Sequence, residues 1–297
     1  MRPARLGVVL VAHGSRDPRA GRATEALAAA VRADHPEWDV RASYLDHSVP
    51  RPRSALAALA AEGHERAVLV PLLLTAAYHG RVDVPGEITA ARADGVRLGV
   101  ELADVLGPVD GVVPELLLDG LMGRLAAASS AASSGGVACP GGASLPDGVA
   151  RPGGASLPDG VARPGGVAFP GGVVRGLDAL VLAAAGTRSA AARGTVELAA
   201  AALSARSGLP CRVAYASAAP PVSGDVVGDL RASGYERVGL VSYFLAPGLL
   251  WDTTAGSARE AGVRVVAEPL ADAPELVALV AARVVAAAGR RPAAAAA

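Results

Sequence analysis

Apolar runs and amphipathic stretches alternate along this chain in a way that predicts its architecture. "LGVVLVA" (Leu6–Ala12), "RAVLVPLLLT" and "LDALVLAAAG" are continuously apolar instead of alternating. That is the pattern of a strand covered on both faces. Between such runs lie stretches with helical spacing. "PRAGRATEALAAAVRADHP" follows the first strand, with Asp17 placed to cap it and Pro18 at its first position. "DVRASYLDH" reads as a second strand, "PRSALAALAAEG" as a helix ending at Gly63, and "VPGEITAARADG" as a helix capped by Asp83. "VRLGVELADVLG" supplies a fourth strand and "VPELLLDGLMGRLAAA" a closing helix. Strand–helix alternation of this kind predicts a parallel sheet with right-handed crossovers and helices on both faces, an α/β fold.

The order then recurs. Ala185 of "LVLAAAGTRS" stands 172 positions after His13, and Leu250 of "YFLAPGLLWD" stands 171 positions after His79. Two segments at nearly the same offset indicate an internal duplication, so two tandem parallel-sheet lobes are expected. Between them, "PGGASLPDGVAR" runs from Pro140 to Arg151 and again from Pro152 to Arg163, with a worn copy to Arg175. Its Pro-Gly density disfavours helix and sheet. The expected division is therefore a first lobe at 1–125, a low-complexity linker at 126–175, a second lobe at 176–291 and an alanine tail at 292–297.

Composition narrows the chemistry. The 28 basic residues are all arginine, so a P-loop lysine, a Schiff-base lysine and a lysine general base are excluded together. Asparagine and glutamine are absent as well, so anionic ligands must meet arginine or backbone N–H groups. A net charge of zero offers no electrostatic footprint for nucleic acid. No run of about 18 uncharged apolar residues marks a membrane span, and the first apolar run is too short for a leader, which leads to an expectation of a cytoplasmic protein. Cys139 and Cys211 lack metal-type spacing and are read as incidental.

All five histidines lie in the first half. His13, Asp46 and His79 each follow a different strand at intervals of 33 residues, one strand–helix unit apart. Ligands of open parallel sheets bind beyond the carboxyl ends of the strands, so these three side chains are expected to converge there. Two imidazoles and a carboxylate suit a divalent first-row metal and leave coordination positions open. An alternative use of "HGS" is a phosphate at the helix entry with His13 as nucleophile, but such a phosphotransferase expects arginine before the histidine, and Ala12 is there. The second copy reads "AGT", keeping Gly186 and Thr187 without the imidazole. Gly and Ser/Thr thus serve the turn, and His13 adds chemistry. His47 is expected to point to the face opposite Asp46 and to support it from there, while His35 and His64 are read as solvated.

The stretches "AHGSRDP", "YLDHSVP" and "VPLLLTAAYHGRVDVPGEI" resemble the class II tetrapyrrole chelatases, specifically the sirohydrochlorin cobalt or iron chelatases. The resemblance covers about residues 5–125 and, more weakly, 176–287. It implies a chelatase that takes Fe2+ or Co2+ as substrate, uses no organic cofactor, and acts on a sirohydrochlorin-type tetrapyrrole as monomer or homodimer. His13 and His79 then take the catalytic and metal-binding roles, with Asp46 as a third ligand; the family commonly has glutamate there, and Asp46 is shorter. Ser15, Arg16 and Arg81 become the candidates for the macrocycle's carboxylates, with Arg51 and Arg53 behind them. A carrier of metal or tetrapyrrole without catalysis would use the same residues. Should the second half serve only as a scaffold, its removal would spare activity wherever its buried contact face is tolerated.

Overall fold

The computed structural model describes residues 5–75, 83–134 and 176–290. The linker repeat, the alanine tail, His79, Arg81 and Cys139 lie outside the described residues. In chain order the first lobe comprises β1 (Leu6–Ala12), α1 (Pro18–Asp34), β2 (Trp38–Tyr44), α2 (Pro52–Ala61), β3 (Arg66–Pro71), α3 (Val84–Ala93), β4 (Gly99–Leu102) and α4 (Glu115–Ser134). The second comprises β5 (Ala179–Ala184), α5 (Ala190–Ser207), β6 (Cys211–Tyr215), α6 (Ser223–Ala232), β7 (Val238–Tyr243), α7 (Leu249–Glu260), β8 (Val265–Val266) and α8 (Pro274–Ala288). The sheets have the orders β2-β1-β3-β4 and β6-β5-β7-β8, parallel throughout. The expected α/β architecture of two parallel-sheet lobes is the one observed.

Local signals in the sequence mark several helix starts. Asp17 caps α1, its side chain accepting the Arg19 N–H at 2.9 Å, and Pro18 follows it. Asp83 stands at the N-cap position of α3, though its side chain makes no cap hydrogen bond. One boundary differs from expectation. α4 runs on through Ser134, nine residues into the stretch read as linker. Its last turns are alanine and serine, which look like low complexity; alanine is also the best helix former, and here the helix continues.

What holds the two lobes together is an exchange of their final helices. α4 packs not on its own sheet but against β7 and β8, while α8 packs against β3, β4 and α1, and the two helices pack against each other. A single core therefore lies between the two sheets. It includes Leu117, Leu121 and Leu125 of α4 and Leu276, Leu279, Val280 and Val284 of α8, all buried. The outer faces carry separate cores under α2 and α3 in one lobe and under α6 and α7 in the other. Polar contacts reinforce the exchange: Arg124 donates to the Leu270 carbonyl at 2.7 Å, Arg283 donates to the Gly107 carbonyl at 3.3 Å, and Arg206 pairs with Glu115 and Asp119. No described helix is long and apolar enough to cross a membrane.

Each large aliphatic side chain buried by α8 contributes about 1.5–3 kcal/mol, so four or more exceed much of the roughly 5–15 kcal/mol by which a domain is stable. A chain ending at Ser134 is thus expected to lose its cooperative thermal transition and to bind a hydrophobic dye as a monomer. A sharp transition with native near-ultraviolet dichroism in that truncated monomer would contradict the exchange.

Candidate functional site

β1 is the second strand of its sheet, paired on one side with β2 and on the other with β3. The β1–β2 ladder continues past the strands themselves: Leu45 N–H donates to the Ala12 carbonyl at 2.9 Å and Asp46 N–H to the His13 carbonyl at 2.8 Å. His13 and Asp46 are thus joined through their backbones at the carboxyl end of the sheet, both exposed. Gly14 makes this approach possible. Its φ is +92°, and a Cβ there would stand 1.8 Å from the Asp46 carbonyl oxygen. Only glycine fits.

The Asp46 carboxylate is held below its ordinary range, first because its Oδ1 accepts the His47 N–H at 2.8 Å, then because His47, Arg51 and His13 lie close enough for their charges to favour the ionised form. Asp46 therefore faces solvent as an anion next to the imidazole of His13. His47 departs from expectation. Its backbone is left-handed, φ 60°, and instead of pointing to the opposite face it puts Nε2 3.6 Å from Asp46 Oδ2. The structure brings His13, Asp46 and His47 together; His79 and Arg81 fall outside the described residues, so convergence of the histidine pair stays an expectation.

The remaining candidates divide. Ser15 Oγ accepts the Asp17 N–H at 3.0 Å, which shapes the turn and leaves its own proton to donate elsewhere. Arg16 is exposed. Arg51 is turned inward onto the Leu45 carbonyl, a structural use, while Arg53 is exposed on α2. His35 stacks on Trp38 with ring centroids 3.9 Å apart. His64, expected to be solvated, is instead only 10% exposed and bonded to the Arg5 carbonyl and Asp39. Asp39, Glu62 and His64 are close enough together to hold a cation, but the Arg41 guanidinium already pairs with both carboxylates. Cys211 is half-buried, and desolvation pushes its thiol up to about 12.

A cleft of about 420 Å³ opens between the lobes beside His13. His13, Gly14, Ser15 and Leu72–Thr75 form one wall; Ala185, Gly186, Tyr243, Phe244 and Trp251 are among those forming the other. A smaller cavity of about 160 Å³ lies behind His13, against Tyr44 and Thr24. Across the cleft, the buried Tyr243 hydroxyl donates to the Leu74 carbonyl at 3.0 Å, and burial raises its ionisation well above the usual range. Sequence reasoning missed Arg19, whose guanidinium pairs with Asp17 of its own lobe and Asp252 of the other. Asp17 is held low mainly by that side-chain bond. The second lobe repeats the turn without the chemistry: Gly186 has φ +92° and a Cβ there would meet the Ser217 carbonyl at 1.9 Å, while Ala185 and Ser217 stand where His13 and Asp46 stand.

Comparison with known proteins gives a consistent picture. The family model CbiX matches residues 7–120 and again 179–287, one match per lobe. The sirohydrochlorin cobaltochelatase of Methanococcoides burtonii is 27% identical over 81 residues, which is 27% of this chain and 62% of that protein. The match thus spans less than two thirds of that relative. SirB from Bacillus subtilis with Fe3+ superimposes over 96% of both chains with a TM-score of 0.67 at 18% identity. The sirohydrochlorin chelatase SirB from Bacillus subtilis subspecies spizizenii in complex with cobalt does so with a TM-score of 0.66 at 15% identity, over 96% of this chain and 95% of that one. At these identities the structural likeness establishes a common fold.

The two equivalent glycines provide a matched test. Gly14→Ala and Gly186→Ala should each destabilise by about 2 kcal/mol or more, through a left-handed backbone and a blocked close approach. Only Gly14→Ala should also weaken binding of Co2+, read by isothermal titration below the melting temperature. Equal loss of metal binding in both variants would detach the His13–Asp46 turn from metal binding.

Proposed function

We propose, from the premise that the chain belongs to the CbiX family of class II sirohydrochlorin chelatases, that it inserts a divalent metal, Fe2+ or Co2+, into a sirohydrochlorin-type tetrapyrrole. The observation that carries this reading is His13, which lines an interlobe cleft and is linked through its backbone carbonyl to Asp46. The cleft lies within the roughly 300–1,000 Å³ range of small-molecule sites, and its Leu, Tyr, Phe and Trp walls suit the flat apolar face of a macrocycle.

Insertion requires two pyrrole protons to leave and the aquo ion to shed water as nitrogen ligands replace it. In this reading neutral His13 presents an imidazole nitrogen, first as a ligand for the incoming ion and then as an acceptor for a departing proton. His79, which follows the third strand in sequence, takes the matching role. Asp46, ionised and beside His13, offsets the positive charge that builds as metal and protons share the site. Ser15, Arg16 and Arg81 meet the macrocycle's carboxylates. Fixing ion and ring in one cleft replaces a random encounter between two hydrated species. The relatives with solved structures hold Fe3+ in one case and cobalt in the other. Ligand affinity of such donors rises from Fe2+ to Co2+, so cellular supply of the ion decides which metal is inserted.

The test is absorbance of the metal-free macrocycle in excess over protein. The full chain should convert many equivalents, and His13→Ala and His79→Ala should each slow this by about 100-fold or more. Asp46→Asn should cost about tenfold, as expected of a group that supports the ligands. Conversion that stops at one equivalent would indicate a carrier, and normal turnover in both histidine variants would contradict the proposal.

A further inference from the structure

Arg19 sits in the first turn of α1, and its guanidinium is shared by carboxylates of both lobes. Nε and Nη2 donate to Asp17 at 3.1 and 2.6 Å, Nη1 donates to Asp252 Oδ1 at 3.3 Å, and Nη2 also reaches Asp252 Oδ2. Asp252 follows Leu249–Trp251, which line the cleft, and Ala20, next to Arg19, lines the other wall. The ion pair therefore bridges the cleft rim on the His13 side. Arg19 and Asp252 are 42% and 47% exposed, within reach of an entering ligand, whereas Asp17 is 21% exposed and committed to capping α1.

Arg19 thus serves two carboxylates at the entrance of a cleft read here as receiving a polycarboxylate, with the charge of Arg22 also acting on Asp17. A ligand carboxylate gains a two-point grip on the guanidinium by taking the place of Asp252, because Asp17 is committed to capping α1. The duplication supplies an independent observation. At the offset of 172 that relates the starts of α1 and α5, Arg19 corresponds to Ala191, and at the offset of 167 set by the matching ends of α3 and α7, Asp252 corresponds to Pro85. The duplicated scaffold therefore does not require this pair, which occurs on the side that carries the histidine.

We propose that Arg19 is a docking residue for a substrate carboxylate, and that Asp252 of the second lobe is its resident counter-ion, displaced when a polycarboxylated tetrapyrrole enters. This rests on the tetrapyrrole reading. It gives the second lobe a part in admission: the lobes are tied at the rim until an anionic guest replaces one side of the tie. A purely structural ion pair makes a different prediction, because exposed pairs contribute little to stability and their loss leaves ligand affinity unchanged or lower.

The experiment is equilibrium binding of a metal-free, carboxylated porphyrin to the full chain at low ionic strength, without metal. Asp252→Asn removes the competitor with almost no change of shape and should tighten binding about three- to fivefold, the scale of a single exposed ion pair. Arg19→Met should weaken it about tenfold, and the double variant should match Arg19→Met. With the methyl ester of the same porphyrin, both single-variant effects should vanish. If the unaltered chain binds the porphyrin and Asp252→Asn does not bind it more tightly, this proposal falls and the tetrapyrrole reading stands. If the unaltered chain does not bind it, both fall.

Discussion

The hydrogen bond from the Asp46 amide to the His13 carbonyl is the constraint on which the site depends. It is the last rung of the β1–β2 ladder, made after both strands have ended, and it forms because residue 14 has no side chain. A parallel sheet delivers all its strand ends to one edge. This rung turns that general property into a specific one, with an imidazole and an ionised carboxylate facing solvent side by side. The same close approach recurs between Gly186 and the Ser217 carbonyl, where the Ser217 hydroxyl donates to the Ala185 carbonyl at 2.9 Å and neither an imidazole nor a carboxylate is present. The turn is therefore scaffold, and function was added to, or removed from, a frame that stays the same.

The two lobes are consequently unequal in chemistry and inseparable in packing. Because α4 and α8 each cover the other lobe's sheet, the space between the sheets is one apolar interior, and the cleft is its open end. A pocket set between two bodies that share a core keeps its walls aligned without a long rigid connection through the linker. Tyr243, reaching from β7 to the Leu74 carbonyl, and Arg19, held between Asp17 and Asp252, tie the walls at two further points. The second lobe carries no histidine, yet it supplies one wall of the cleft.

Much of this was legible in the amino-acid sequence, and for physical reasons. Strands buried on both faces must be continuously apolar, so the Leu6–Ala12 run and its end at His13 could be read directly. Asp17 and Pro18 announced α1 because capping is local chemistry. Offsets of 172 and 171 exposed the duplication. The exchange of helices was not legible: an apolar stripe says that a helix face is buried, not which sheet buries it. Pairing of Arg19 with Asp252 spans 233 residues and has no local signature. His64 looked solvated because its neighbours in sequence are charged, whereas its neighbours in space are the Arg5 carbonyl and Asp39. The alanines after residue 125 resembled linker composition because helix propensity and low complexity share the same residue.

The central claim is that the cation is bound where β1 and β2 end, and anomalous scattering from a crystal grown with Co2+ tests it most directly. The account predicts a peak about 2.0–2.2 Å from an imidazole nitrogen of His13, on the cleft side and within reach of Asp46. A peak among Asp39, Glu62 and His64, with none at His13, would contradict it.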